Sequence, residues 1–550
     1  MLRNVLEDYL SSIIERDLDY PLSALLQAMG FYDIHFTHGG VEFGKDFIAK
    51  RVEDGNEYQY AIQSKKGDIN QELWRNKIRG QLEEAIVIDL SHPQFNTALP
   101  RKAILVTTGR LIGNAHLASQ EFKAKLEAEK KVAALDFWEK EQLAQLSEEF
   151  GFTGFHITAK GLAGFGQFYM TYSKAIEGTL SDREIEEFSR LWIDEALDYR
   201  RRIFRASLEA EIIAIKLLET GRYYEAISVY LALSRLVMAA TYETAEPFVT
   251  EILKEIVNDK ILPLCKTFLE QFQSEWQEAE QDLIRLCVPR AAFPMLQYLV
   301  WCARVTEIGG LYFFLTPDES EREKTIAFLL DFIGHEKGTA HIPGDRYAVS
   351  VVWPTLALLK GGKRDEALDF IKKGVVWLCD RLEQGWGLAR YDADEKEETR
   401  ILLGVPFDFI KGQKQRGSYL ATVLADLAAF MEIAEFYGVV YNDIEACEVG
   451  YSYWQFPDTK AIFTIETEEV ISYPNITHQE SMNTFEDYEY SEHIKHEPDS
   501  FQITRKAGLN TLILLSVFLK DRYFPKMWRA ILSDSAPVDN LGQSHLHALV

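Results

Sequence analysis

The stretch GKDFIAKRVEDGNEYQYAIQSKKG, Gly44 to Gly67, constrains the fold more than any other. Two short segments with apolar patterning are joined by the turn-rich EDGNE, so they are predicted to form neighbouring antiparallel strands. Along a strand the side chains alternate faces, which puts Gln63 and Lys65 on one side and Ser64 on the other. The short connection brings Asp46 of the first segment beside them. A core strand has no reason to keep a carboxylate, an amide and an amine together. An acid with a second oxygen donor, Asp46 with Gln63, can hold a hard divalent cation such as Mg2+, for which Mn2+ can substitute. Lys65 beside it can orient or deprotonate a metal-bound water, or neutralise charge on a phosphorane-like transition state. Metal-assisted phosphodiester hydrolysis is the reaction class this implies.

The elements around the hairpin alternate in type. PLSALLQAMGF has helical spacing and ends at Gly30, a helix C-cap. YDIHFTH, KDFIAKRV and YQYAIQSKK read as strands, NQELWRNKIRGQLEEAIVIDL as a helix, and KAILVTTG as a strand. A helix from about Asn114 to Lys130 and a last strand and helix in VAALDFWEKEQLAQL follow. Residues 1–150 are therefore predicted to be an α/β domain with a small mixed sheet. Residues 151–180 read as a linker. From Ser181 to about 440 nearly every window shows helical apolar spacing, which predicts a helix-hairpin, repeat-like region. GRYYEAI at Gly221 and GKRDEAL at Gly362 each place Gly at a turn before a helix start, and the first resembles a tetratricopeptide unit. Residues 441–505 read as an acidic loop or β insertion, and 506–550 as C-terminal helices.

At 550 residues the chain exceeds what one core supports, in keeping with this division. The start lacks a signal-peptide pattern, and the longest apolar run, LNTLILLSVFL, is too short to span a bilayer. A cytoplasmic protein without membrane contact is predicted. The five cysteines form no C-x-x-C pair and read as core residues in a reducing compartment. The net charge of −26 excludes non-specific coating of nucleic acid by the whole surface. Residues 1–150 hold 18 Lys and Arg against 24 Asp and Glu, a net of −6, which leaves −20 on the other 400 residues. Contact with phosphates must be local. KKGDINQELWRNKIR, from Lys65 to Arg79, has five basic residues and two acidic ones. Lys66, Arg75, Lys77 and Arg79 form either a solvated helix face or a phosphate-contacting ridge.

The pattern Asp46 … Gln63-Ser-Lys65 resembles the PD-(D/E)xK nuclease signature, in the D…QxK variant typical of Mrr-type restriction endonucleases. The similarity runs through roughly residues 5–147. LLQAMGFYDIHFTHGGVEFGKDFIA resembles the family's helix, Gly-aromatic turn and strands. YAIQSKKG matches the catalytic strand, IRGQLEEAI the following helix with Gln81, and KAILVTTGRLIGNAHLAS the later strand with Thr107, Thr108 and Gly109. The resemblance implies a restriction-endonuclease-like fold with Asp46 as principal metal ligand, Gln63 as second oxygen donor and Lys65 as catalytic lysine. It also implies a further acid on the first helix, where Asp19 stands. Pro21 makes that position a helix start. Glu42 is a rival: it shares strand parity with Asp46, but only a bend at Gly44 overcomes a backbone separation of about 13 Å.

The resemblance implies a Mg2+-dependent endonuclease acting on DNA, in a restriction or anti-phage defence setting. One site per chain implies a homo-oligomer for double-strand cleavage. The acidic helical region is left to bind protein or a small ligand. Two alternatives stay open: a catalytically inactive DNA-binding module on a helical scaffold, and a ribonuclease. His545 with His547, and His493 with His496, lack zinc-like partners and read as surface residues. GHEKGT and LKGGKRDE do not complete a phosphate-binding loop.

Overall fold

The computed structural model describes residues 2–13, 18–37, 43–150, 165–193, 199–243, 247–288, 293–412, 414–454, 471–472 and 523–533. The chain divides into two compact units, one of Met1–Lys174 with Leu191–Ile213, the other of Ala175–Arg190 with Ala214–Val550.

The first unit opens with helices α1 (Leu2–Ser12) and α2 (Asp19–Ala28), followed by strands β1 (Tyr32–Phe36), β2 (Phe47–Glu53) and β3 (Asn56–Lys65). Helix α3 starts as Gln71–Leu73, passes through a π-helical turn at Trp74–Ile78 and continues as Arg79–Val87. Then come β4 (Arg101–Thr107), α4 (Asn114–Ala128), β5 (Ala134–Trp138) and α5 (Lys140–Phe150). The five strands form one sheet in the order β1-β2-β3-β4-β5. It is mixed: β1, β2 and β3 are antiparallel, whereas β3, β4 and β5 are parallel.

Each junction has a local cause. The β2–β3 turn is two residues long, and Asp54 (φ 49°) and Gly55 (φ 79°) both sit in the left-handed region, as the twist of a tight hairpin demands. β3 is buried from Tyr60 to Ser64 and reads as a continuous run, because a central strand is covered on both faces. Parallel pairing of β3 with β4 requires a crossover, and α3 supplies it. Trp74, Ile78, Leu82 and Ile86 of α3 pack with Ala103 and Leu105 of β4 and Phe122 and Leu126 of α4. Their four-residue spacing overshoots a full α-helical turn by about 40° at each step. The π turn, in which Arg79 N–H donates to the Trp74 carbonyl, absorbs part of that drift. It leaves Trp74 edge-on to Phe122 and Phe137, at 5.7 and 6.1 Å.

The second unit is mainly helical. Both Gly-turn patterns close helices in the same way. Gly221 (φ +72°) donates to Leu218 O and Arg222 to Leu217 O; Gly362 (φ +72°) donates to Leu359 O and Lys363 to Leu358 O. Ala226 and Ala367, each five residues after its glycine, are fully buried, as close helix packing requires.

Several boundaries differ from expectation. The predicted linker holds a helix, Phe165–Ile176. The helix Ala434–Ala446 runs past the predicted limit at 440, because its apolar spacing continues through Val440 and Ile444, both buried. Two short strand pairs involve the chain beyond it: Gly450–Tyr451 pairs back with Gly417–Ser418, which precedes the helix, and Tyr453–Trp454 pairs with Ile471–Ser472. Of the predicted C-terminal helices, Pro525–Ser533 is described. LNTLILLSVFL and the four histidines lie outside the described residues, as does Glu42. Cys265, Cys287 and Cys302 are buried, but Cys379 and Cys447 are only half-buried. No helix among the described residues is long and apolar enough to cross a membrane.

Candidate active site

The candidate residues collect where β2 begins and β3 ends, beside the carboxyl end of β4. In sheets with parallel strands, ligands bind outside that edge. Phe47 pairs with Ile62, so Asp46, one step outside β2, stands opposite Gln63. Asp46 N–H donates to Ile62 O at 2.9 Å, and Asp46 O accepts from Thr37 N at 3.0 Å. Beyond Asp46 the chain turns away at Gly44 (φ +70°). The Ser64 N–H points toward β2 and finds the Asp46 carboxylate there, with Oδ2 at 2.6 Å. The Ser64 hydroxyl donates to the same oxygen at 3.3 Å. Ser64 alternates with Gln63 and Lys65 along β3, and the contact arises because Asp46 lies outside its strand and its side chain reaches along the sheet edge.

Lys65 Nζ lies 3.7 Å from Asp46 Oδ2, with side chains 14% and 12% exposed. The pair is open to solvent to a small degree and not sealed. Gln63 is 1% exposed; its Nε2 donates to Gln81 Oε1 of α3 at 3.0 Å. Its Oε1 is buried with no hydrogen-bond partner. A buried acceptor without a partner costs about 1–3 kcal/mol, so it calls for an explanation.

The end of β3 is braced from β4. Thr108 N donates to Lys65 O at 3.1 Å, Thr107 Oγ1 to Gly67 O at 2.6 Å, and Gly67 N to Thr108 Oγ1 at 2.9 Å. Gly109 is needed for this approach, since a Cβ there would lie 2.3 Å from the Gly67 carbonyl carbon. Gly44 has the same role on the other side: its Cβ would lie 2.0 Å from Gln81 O.

Lys45, which the sequence reading passed over, is fully buried between these elements. Its Nζ donates to Ile88 O at 2.8 Å and lies 5.7 Å from the Phe95 ring centroid. A cation suits the carbonyl end of α3. Burial and then the nearby Arg101 guanidinium nonetheless pull its ammonium down to about 8. Strand parity gave no signal for it, because Lys45 and Asp46 both precede β2.

Of the basic ridge, Lys66, Arg75 and Lys77 are exposed and make no ion pair among the described residues. Arg79 pairs with Glu83 at 3.2 Å and lies 5.6 Å from the Phe122 ring centroid. Asp19 is the buried first residue of α2, which packs against β1 and α5. No cluster of three or more His, Cys, Asp and Glu able to hold a metal occurs among the described residues. The donor set is therefore one carboxylate with an amide oxygen, which suits a Mg2+ ion that keeps several waters better than an all-protein cage. No family model, no curated protein and no solved structure matches the chain.

Proposed function

We propose that the N-terminal unit is a restriction-endonuclease-like domain and that the protein is a Mg2+-dependent endonuclease hydrolysing DNA. The observation that carries this reading is the Lys65–Asp46 ion pair, with Gln63 opposite Asp46 in the strand register and its buried Oε1 left unsatisfied. Asp46 and Gln63 are the residues that would hold the ion, whose chemistry when bound is Lewis-acid polarisation of the phosphate. Asp46 is held in place by Ser64 N–H and by the Lys65 ammonium. Lys65 places a positive charge where the pentacovalent phosphate accumulates negative charge. Lys66, Arg75 and Lys77 offer unpaired cations for flanking phosphates, and binding through them is salt-dependent. Cleavage of both strands by one site per chain calls for a homo-oligomer. A restriction or anti-phage role follows from the family resemblance alone.

The test compares wild type with Lys65→Ala on plasmid DNA, single-stranded DNA and RNA, with Mg2+ or Mn2+. Wild type cuts DNA, and the variant loses at least about a hundredfold in rate with unchanged folding. Equal rates refute the role of Lys65. Binding without cutting by wild type leaves a DNA-binding module, and cleavage of RNA alone makes the protein a ribonuclease.

A further inference from the structure

The helical unit contains a cavity of about 890 Å³. Its walls come from the helices Asp182–Ser189, Tyr223–Glu243, Leu262–Glu278, Pro294–Leu315 and Glu395–Leu402, with the 3-10 segment Asp345–Val351. This volume is that of a small-molecule site. One wall is aromatic: Phe268 and Phe272 stack on Trp301, with ring centroids 5.9 and 6.0 Å apart and planes within 5° and 15°.

The charged lining is four arginines against eight carboxylates. Every guanidinium already has an internal acid. Arg304 lies 3.3 Å from Asp182 and 3.6 Å from Glu225. Arg222 lies 2.8 Å from Glu225, Arg183 3.1 Å from Glu187, and Arg346 3.2 Å from Glu186. An anionic ligand would have to break these pairs. Glu398 is the buried acid left over. It is 5% exposed and lines the cavity, yet its carboxyl has no hydrogen bond or ion pair among the described residues. A buried carboxylate in that state is costly unless a positive charge comes to it.

We propose that this cavity binds a small organic cation, its ammonium or amidinium group pairing with Glu398 and its body lying against the Phe268–Trp301–Phe272 wall. Burial pushes the Glu398 carboxyl up to about 8; Arg346 opposes the rise, Asp182 and Glu395 add to it, and Arg183 opposes it again. At neutral pH the carboxyl is therefore protonated, and a cation that pairs with it must displace the proton into solvent. Affinity then rises with pH, by about tenfold per unit below 8. The proposal does not depend on the nuclease reading.

The test is calorimetric titration of the full chain with benzamidine and spermidine as cationic probes, benzamide as the neutral isostere of benzamidine, and AMP as an anion. At least one cation is expected to bind, benzamide and AMP much more weakly, with a proton released that shows as buffer-dependent heat at pH 7. Glu398→Gln removes only a carboxyl that is already neutral there, so the fold should persist. It is expected to weaken the cation at least tenfold and to abolish both proton release and the rise in affinity from pH 6.5 to 7.5. Phe268→Leu should weaken benzamidine and leave the proton release intact. The proposal is overturned if no cation binds at about 10 mM, if benzamide or AMP binds as well as the cations, or if Glu398→Gln binds them with wild-type affinity and pH profile.

Discussion

Replacing Gly44 by alanine separates backbone strain from steric displacement at the candidate site. Two costs add. An L-residue at φ +70° pays about 1–2 kcal/mol for the left-handed conformation. The new Cβ would also sit 2.0 Å from Gln81 O, whereas ordinary contact begins at 3.4 Å, so the loop or α3 must retreat by about 1.4 Å. Overpacking of this kind costs about 1–3 kcal/mol, for a total of about 2–5 kcal/mol. Gly55→Ala is the control: its φ is +79°, and nothing lies within 4 Å of the added Cβ, so it pays the first cost alone. The assays are urea unfolding and, in parallel, the rate of DNA cleavage. Gly44→Ala should be the less stable of the two by at least about 1 kcal/mol. Because Asp46 follows two residues later, a shift of this size should also lower cleavage by about a hundredfold, while Gly55→Ala cuts normally. Equal stability of the two variants would refute the claim that α3 presses on Gly44.

Gln63→Leu removes the unsatisfied Oε1 and should leave stability unchanged or raise it by up to about 1–2 kcal/mol while abolishing cleavage; a loss above that amount on urea unfolding would show that the amide is structural. Lys45 is charged in the unfolded chain up to about 10.5 but in the folded protein only to about 8, so between those values the unfolded chain binds the extra proton. Its contribution to stability is therefore present above 10.5 and lost as pH falls through 8, and wild type should gain up to about 3 kcal/mol on Lys45→Met across that window in chemical unfolding. A flat difference between the two proteins would contradict the burial of the ammonium. Lys77→Glu should weaken DNA binding and flatten its salt dependence without changing the unfolding midpoint, as measured by fluorescence anisotropy at several salt concentrations.

The parts legible in the sequence are those that local patterning controls. Alternation set the faces of β3, the Asp-Gly turn set the β2–β3 register, and that register put Asp46 opposite Gln63. The π turn was not legible, because a four-residue apolar spacing reads as an α-helix until Trp74 and Ile86 must meet one surface. The bond from Ser64 to Asp46 was not legible, because parity holds inside a strand and Asp46 lies just outside one. The Glu398 carboxyl and its cavity were invisible for a different reason. Glu398 closes the acidic stretch DADEKEE, whose composition alone suggests a solvated run, and only the packing of several distant helices buries that glutamate while Asp392, Asp394 and Glu395 stay exposed.

Three consecutive residues, Gly44, Lys45 and Asp46, are each fixed by a different partner, and two of these partners belong to α3. Gly44 lies against the Gln81 carbonyl, Lys45 reaches the carbonyls of Glu84 and Ile88 beside the end of that helix, and Asp46 takes the N–H of Ser64. Gln81 also accepts from Gln63, so α3 touches both sides of the oxygen-donor pair. The helix that crosses from β3 to β4 is thus the template that sets the spacing between Asp46 and Gln63. An α-helix without the π turn would rotate Gln81 relative to Trp74 by about 100°. Either Trp74 would leave the core or Gln81 would leave Gln63. The irregular turn is the geometry that lets one helix fill the core and support the polar edge at once.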